Sequence, residues 1–118
     1  MTLACPNATL RRDPGFRHMS GKFRFSTAQG HNLTFVWDGA AISDDGEVLL
    51  IEEEISKPVD LHVQGHVSRA AMMLSRGLRI RKIVWVTRAD EFRNLYRIVE
   101  SWRHVMMEEF DAPTPPCD

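Results

Sequence analysis

Leu33-Thr34-Phe35-Val36-Trp37-Asp38-Gly39-Ala40-Ala41-Ile42, then Ser43-Asp44-Asp45-Gly46, then Glu47-Val48-Leu49-Leu50-Ile51-Glu52-Glu53-Glu54-Ile55: this stretch decides the fold. Both flanking runs are rich in β-branched and aromatic residues, and an Asp-Gly pair between them is a strong hairpin signal. Side chains alternate along a strand, so Val36, Asp38 and Ala40 are expected on one face, and Val48, Leu50, Glu52 and Glu54 on one face of the partner. An apolar strand ending in carboxylates that point the same way can hold a divalent cation at its end. If the two acidic faces coincide, Asp38, Glu52 and Glu54 converge.

Outward from this pair the chain reads as a small mixed domain. Lys22-Phe23-Arg24-Phe25-Ser26-Thr27 alternates basic and aromatic residues, as a strand with one buried face does, and Gly30-His31-Asn32 reads as the turn into the Leu33 strand. Three consecutive antiparallel strands, a meander, are therefore expected. Ser56-Lys57-Pro58 breaks the pattern. Asp60 is the expected N-cap of a helix over residues 61–76, whose stripe is Val63, Val67, Ala70, Ala71 and Leu74, with Gly77 closing it. Gly65 inside that helix costs about 1 kcal/mol against alanine, which a close approach of backbone or ligand would rationalise. The run 82–87 is a compact apolar strand suited to a parallel or central position. Thr87 with Asp90 resembles a capping box, opening a helix over 88–110 with the stripe Phe92, Leu95, Val99, Trp102, Met106 and Phe110. The expected order is β-β-β-α-β-α, an α/β fold with a mixed four-stranded sheet. Residues 1–21 read as an irregular arm with one short helical turn near Thr9–Arg12, residues 22–111 as the single domain, and residues 112–118 as a disordered tail.

Bulk properties set bounds on function. The chain has 118 residues and a net charge of -1, which suits one ordinary soluble domain. No apolar run approaches the roughly 20 residues needed to span a membrane, and Met1–Pro6 lacks the basic start and apolar core of a secretory signal. The expected location is the cytoplasm, with Cys5 and Cys117 as free thiols. The near-neutral charge hides segregation: residues 1–37 and 69–103 are basic, residues 38–61 are strongly acidic, and residues 104–118 carry acids alone. An acidic hairpin between basic segments suits a metal site set in a polyanion-binding surface. A solvated surface with charges spread over it has the same composition.

At this point the residues carry a resemblance. Trp37-Asp38-Gly39-Ala40-Ala41-Ile42, a tight turn, then Leu50-Ile51-Glu52-Glu53-Glu54, followed by helix and strand, resembles the core of the PD-(D/E)XK nuclease superfamily, the restriction-endonuclease-like fold. The resemblance covers roughly residues 22–110. It implies a divalent-metal-dependent nuclease hydrolysing phosphodiester bonds, in DNA rather than RNA, with Mg²⁺ or Mn²⁺ as cofactor and a homodimer as a common assembly. It places Asp38 at the family's Asp and Glu52 at its (D/E), both as metal ligands, with the Glu53 carbonyl as a third. Glu54 falls where the family has lysine; it would bind a second metal or act as general base. The following helix often carries Gln and an aromatic four residues on; Gln64 is present as a water- or backbone-orienting residue, but Ser68 takes the second place. The family's leading helix is not evident before Lys22. Lys57 could supply the missing lysine from the loop.

Other residues carry blander readings beside sharper ones. His62 and His66 share a helix face at zinc-binding spacing, but the Glu of H-E-x-x-H is absent, Val63 standing in its place before Gln64. His66 lies nearer the acids. Arg69, Arg76, Arg79, Arg81 and Lys82 are phosphate-contact candidates. Trp37, Trp85 and Trp102 read as core. The rival expectations are a non-catalytic nuclease-like module that binds nucleic acid or a partner protein, and an unrelated α/β domain whose acids are merely exposed.

Overall fold

The computed structural model describes residue 10, residues 13–54 and residues 58–106, with residues 89 and 102–106 described by backbone alone. It is an α/β domain: a mixed four-stranded sheet, a separate two-stranded ribbon and two helices. The strands are β1 (Phe16–Met19), β2 (Lys22–Ser26), β3 (Asn32–Val36), β4 (Gly39–Ser43), β5 (Val48–Glu54) and β6 (Ile80–Thr87). The helices are α1 (Asp60–Ser75) and α2 (Phe92–Met106), the second preceded by a 3-10 turn at Ala89–Glu91. The main sheet runs β1-β4-β5-β6, and the ribbon is β2-β3. No helix among the described residues is long and apolar enough to cross a membrane.

The β4–β5 hairpin forms as the Asp-Gly signal predicts. Gly39 to Ile42 pair antiparallel with Ile51 to Val48. The turn closes through Ser43 N–H on Glu47 O at 3.0 Å and Gly46 N–H on Ser43 O at 3.1 Å, with Gly46 at φ 88°. The segment 33–42, expected as one strand, is instead two strands in two sheets. β3 ends at Val36, the chain bends through Trp37 and Asp38, and β4 begins at Gly39. The expected meander is thereby split, since β2 and β3 pair only with each other among the described residues. The fourth strand of the main sheet comes from the expected irregular arm: Phe16 to Met19 pair antiparallel with Ser43 to Ala40. Of the turn expected near Thr9–Arg12, only Leu10 is described, accepting the Asp13 N–H at 3.0 Å.

The bend is held by a close backbone approach. Trp37 N–H donates to Gly21 O at 2.9 Å. A Cβ on Gly21 would lie 2.4 Å from Trp37 O and 3.2 Å from Gly39 Cα, both backbone atoms that cannot swing aside. Gly65, by contrast, meets nothing within 4 Å, so the close approach expected there is not found. The two glycines make opposite predictions in chemical denaturation. Gly21→Ala is expected to lose about 3 kcal/mol by overpacking. Gly65→Ala is expected to gain about 0.5–1 kcal/mol from helix propensity. Equal effects would contradict the contrast.

β5 and β6 run parallel through the α1 crossover, with Glu52 beside Trp85 and Glu54 beside Thr87. Alternation gives the sheet two buried faces. On one, Leu50, Ile83 and Trp85 pack with Val63, Val67, Ala70 and Met73 of α1, Leu95 and Val99 of α2, and Phe23 and Phe35 of the ribbon. On the other, Ala41, Leu49, Ile51, Val84 and Val86 cluster with Leu10 and Phe16. β6 is parallel as expected but occupies the edge of the sheet rather than its centre. Beside the second face Lys82 reaches the buried Asp13 at 2.8 Å.

Helix ends differ from the sequence reading in detail. Val59 is the N-cap of α1 and makes no side-chain capping bond, while Asp60 is the first helical residue. Thr87 does not cap: its hydroxyl donates to Glu54 O at 2.8 Å, tying the ends of β5 and β6 together. Asp90 pairs with Arg88 at 3.2 Å. The expectations for Cys5, Cys117, Lys57, Phe110 and the tail 112–118 fall outside the described residues, as does the Trp102 side chain.

Candidate metal centre

The site forms at the end of β5, where the apolar run gives way to acids. Glu52 follows Ile51, the last residue of β5 paired with β4, so it faces the bend where β4 begins. Asp38 occupies that bend and is bound to β5 twice. Its backbone N–H donates to Glu52 Oε1 at 3.3 Å, and its own Oδ2 accepts the Glu53 N–H at 2.7 Å. Both acids are buried, Asp38 at 9% and Glu52 at 6% exposure. The strand break at Trp37–Asp38 therefore has a consequence: it turns the Asp38 carboxylate from a strand-face position into the gap beside Glu52.

The helix supplies the third side. Val63, Val67 and Ala70 anchor α1 on the sheet, which places His66 over the acidic end of β5. His66 Nε2 lies 3.0 Å from Glu54 Oε1 and 3.7 Å from Glu52 Oε2. Its ring is held between Trp37, at 5.9 Å between centroids, and Trp85, at 5.4 Å in an edge-on contact. One donor atom from each of Glu52, Glu54 and His66 falls within 4.8 Å of the others. That is a compact divalent-cation donor set of two carboxylates and one imidazole. His66 Nδ1 is buried with no hydrogen-bond partner. The ring proton therefore sits best on Nε2, facing Glu54; binding a cation through Nε2 moves it to Nδ1.

Three residues further along α1, Arg69 closes the rim. Its guanidinium lies 4.6 Å above the Trp37 ring, donates to Val36 O at 3.1 Å, and stands 3.6 Å from Glu52 Oε1. Burial pushes the Glu52 carboxyl up to about 8; the Asp38 carboxylate adds to this, while the Asp38 N–H and Arg69 oppose it. A carboxyl raised by burial and by a second carboxylate has the electrostatic demand that a cation meets.

The structure thus brings together Glu52 and Glu54, with Asp38 hydrogen-bonded beside them. Gln64 is half-buried on α1 and makes no hydrogen bond to the three acids among the described residues. His62 is exposed in the first turn of α1 and takes no part in the cluster. Of the expected phosphate contacts only Arg69 borders the site. Arg79 bonds Asp45 O at 2.7 Å and Arg81 lies 3.7 Å from Glu47. Both are at the opposite end of β5, about 20 Å away by strand rise. Arg76 folds back on Met72 O at 3.0 Å, and Lys82 is on the other face of the sheet with Asp13. The roles of His66 and Arg69 are the least readable in the sequence. Their signal is the i, i+3 spacing that puts both on one helix face beside Trp37.

Compared with protein-family models, with curated protein sequences and with solved structures, the chain matches none.

Proposed function

We propose that the chain is a divalent-metal-dependent nuclease built on a restriction-endonuclease-like core and hydrolysing phosphodiester bonds in DNA. The observation that carries this reading is the meeting of Glu52, Glu54 and His66 donor atoms within 4.8 Å, beside the Asp38 carboxylate. Glu52, Glu54 and His66 would hold the cation, with Asp38 hydrogen-bonded at its side. A nitrogen donor among carboxylates suits Mn²⁺ better than Mg²⁺. When bound, such a cation polarises a phosphoryl oxygen and makes its water a stronger acid.

The chain's own residues supply the rest. Arg69, at the exposed rim, is placed to take a non-bridging phosphate oxygen by a charge-assisted hydrogen bond. Glu54 is the group able to accept a proton from water, through the carboxylate oxygen not given to the cation. Asp38 fixes β5 at Glu53 and so holds the Glu52 and Glu54 carboxylates in position.

A second reading is a non-catalytic module of the same fold that binds nucleic acid or a partner protein. It is favoured by Glu54 standing where the resemblance has lysine. Incubation of duplex DNA with the protein and Mn²⁺ or Mg²⁺ separates the two. Cleavage that EDTA stops supports the nuclease; binding without cleavage under any divalent cation leaves only the module.

A further inference from the structure

The ribbon β2–β3 has two unlike faces. Inward, Phe23 and Phe35 are buried, and Phe25 and Leu33 pack against the same core, with the Phe25 and Phe35 rings edge to face at 5.8 Å. Outward, every residue is exposed: Lys22, Arg24 and Ser26 on β2, and Asn32, Thr34 and Val36 on β3. The register sets these in rows, Lys22 beside Val36, Arg24 beside Thr34 and Ser26 beside Asn32. The outer face therefore carries two cations, two hydroxyls and an amide, and no acid. No carboxylate among the described residues pairs with Lys22 or Arg24. Among the other cations, Arg17, Arg79, Arg81, Lys82 and Arg88 have acidic partners, while Arg76 bonds a backbone carbonyl of its own helix.

The ribbon also opens onto the metal centre. Its base pair is Lys22–Val36, Arg69 is hydrogen-bonded to Val36 O, and Asp38 is two residues on, about 7 Å of chain. A cationic row therefore ends at the cluster of Glu52, Glu54 and His66.

We infer that the outer face of the β2–β3 ribbon enters the major groove of double-stranded DNA, with Lys22 and Arg24 on backbone phosphates, and leads that backbone to the metal centre. Charge complementarity selects a polyanion, and shape selects its form. The major groove of B-DNA, about 12 Å wide, admits a two-stranded ribbon, whereas the major groove of an RNA duplex is too narrow for side chains to read. The delivery step rests on the nuclease reading; the binding step does not.

The test is fluorescence anisotropy with a labelled duplex of about 20 base pairs, in EDTA, from about 50 to about 300 mM KCl. Lys22→Ala with Arg24→Ala is expected to weaken binding about tenfold and to make the salt slope shallower by about 2, one for each phosphate that is no longer neutralised. Thr34→Glu, which sets an acid beside Arg24 at an exposed position, is expected to weaken binding to a similar degree, and it serves alone if the double variant misfolds. An RNA duplex of the same sequence is expected to bind more weakly. Unchanged affinity and slope in the ribbon variants, or equal binding of duplex RNA, overturns the inference. Ribbon-dependent binding without cleavage under any divalent cation overturns the nuclease and leaves the ribbon standing. Cleavage with ribbon-independent binding does the reverse.

Discussion

Glu52→Gln is expected to lower divalent-cation-dependent DNA cleavage by about 1,000-fold or more, while the cation-free protein becomes more stable to heat at pH 8. The two effects have one source. Glu52 is buried, and its carboxyl is raised to about 8 by burial first and by the Asp38 carboxylate second. Glutamine keeps the oxygen that accepts the Asp38 N–H and brings an amide group that can donate to Asp38. It removes a charge the fold carries at a cost. On the proposed reading the same change takes away a cation ligand, and loss of an essential metal ligand costs several kcal/mol of transition-state stabilisation. A gain of about 10 °C in Tm at pH 8 follows from a few kcal/mol in a domain of this size. Glu47→Gln is the control: it touches an acid next to the far end of the same strand, 3.7 Å from Arg81, and is expected to change cleavage by less than about twofold. Cleavage by Glu52→Gln at the wild-type rate would remove Glu52 from the chemistry and the proposed centre with it.

Lost activity together with gained stability would mark a functional site, where local preference is sacrificed. It also bears on what can be read from the sequence. The β4–β5 hairpin is legible because its determinants are local: an Asp-Gly turn between β-rich runs. The parallel β6 and the apolar stripes of α1 and α2 are legible for the same reason, since each periodicity lies within one element. The break between β3 and β4 is not, because the run stays apolar across it even though the face turned to the helices slips by one residue, from Phe35 and Trp37 to Ala40. Only Asp38-Gly39, a turn-forming pair inside an apolar run, marks it. β1 escapes a sequence reading because Phe16–Met19 has two exposed residues in the middle and no alternation; its strand state comes from pairing with β4, residues distant in sequence. His66 belongs to a third category. Its helical spacing is ordinary, and its place 3.0 Å from Glu54 exists only once α1 has docked on β5. Glu52 and Glu54 follow from alternation alone, but the place of Asp38 comes from the bend, and the imidazole and guanidinium that complete their surroundings are tertiary facts.

The raised Glu52 carboxyl also fixes how stability and cation binding must vary with pH. In the unfolded chain the group titrates near its ordinary value of 4.5, and in the fold near 8. Between these values the folded state holds a proton that the unfolded state has released, so stability falls as pH rises through this window. Its contribution is fully present below about pH 4.5 and gone above about pH 8.5, a loss on the order of 4 kcal/mol from pH 5 upward. Thermal melts in EDTA are therefore expected to show a falling Tm from pH 5 to about 8.5. Other groups titrate in the same range, so the quantity to follow is the difference between wild type and Glu52→Gln: near zero at pH 5 and widening with pH. A cation bound at the proposed centre would take the place of the Glu52 proton. Mn²⁺ is then expected to restore the wild-type Tm most at high pH, to leave Glu52→Gln nearly unaffected, and to bind about tenfold more weakly for each pH unit below 8. Calorimetry in two buffers of different ionisation enthalpy should count about one proton released per Mn²⁺ bound at pH 7. A wild-type Tm in EDTA that runs parallel to that of Glu52→Gln across the window would mean that Glu52 is ionised without cost, and a buried carboxylate so satisfied has no need of a cation.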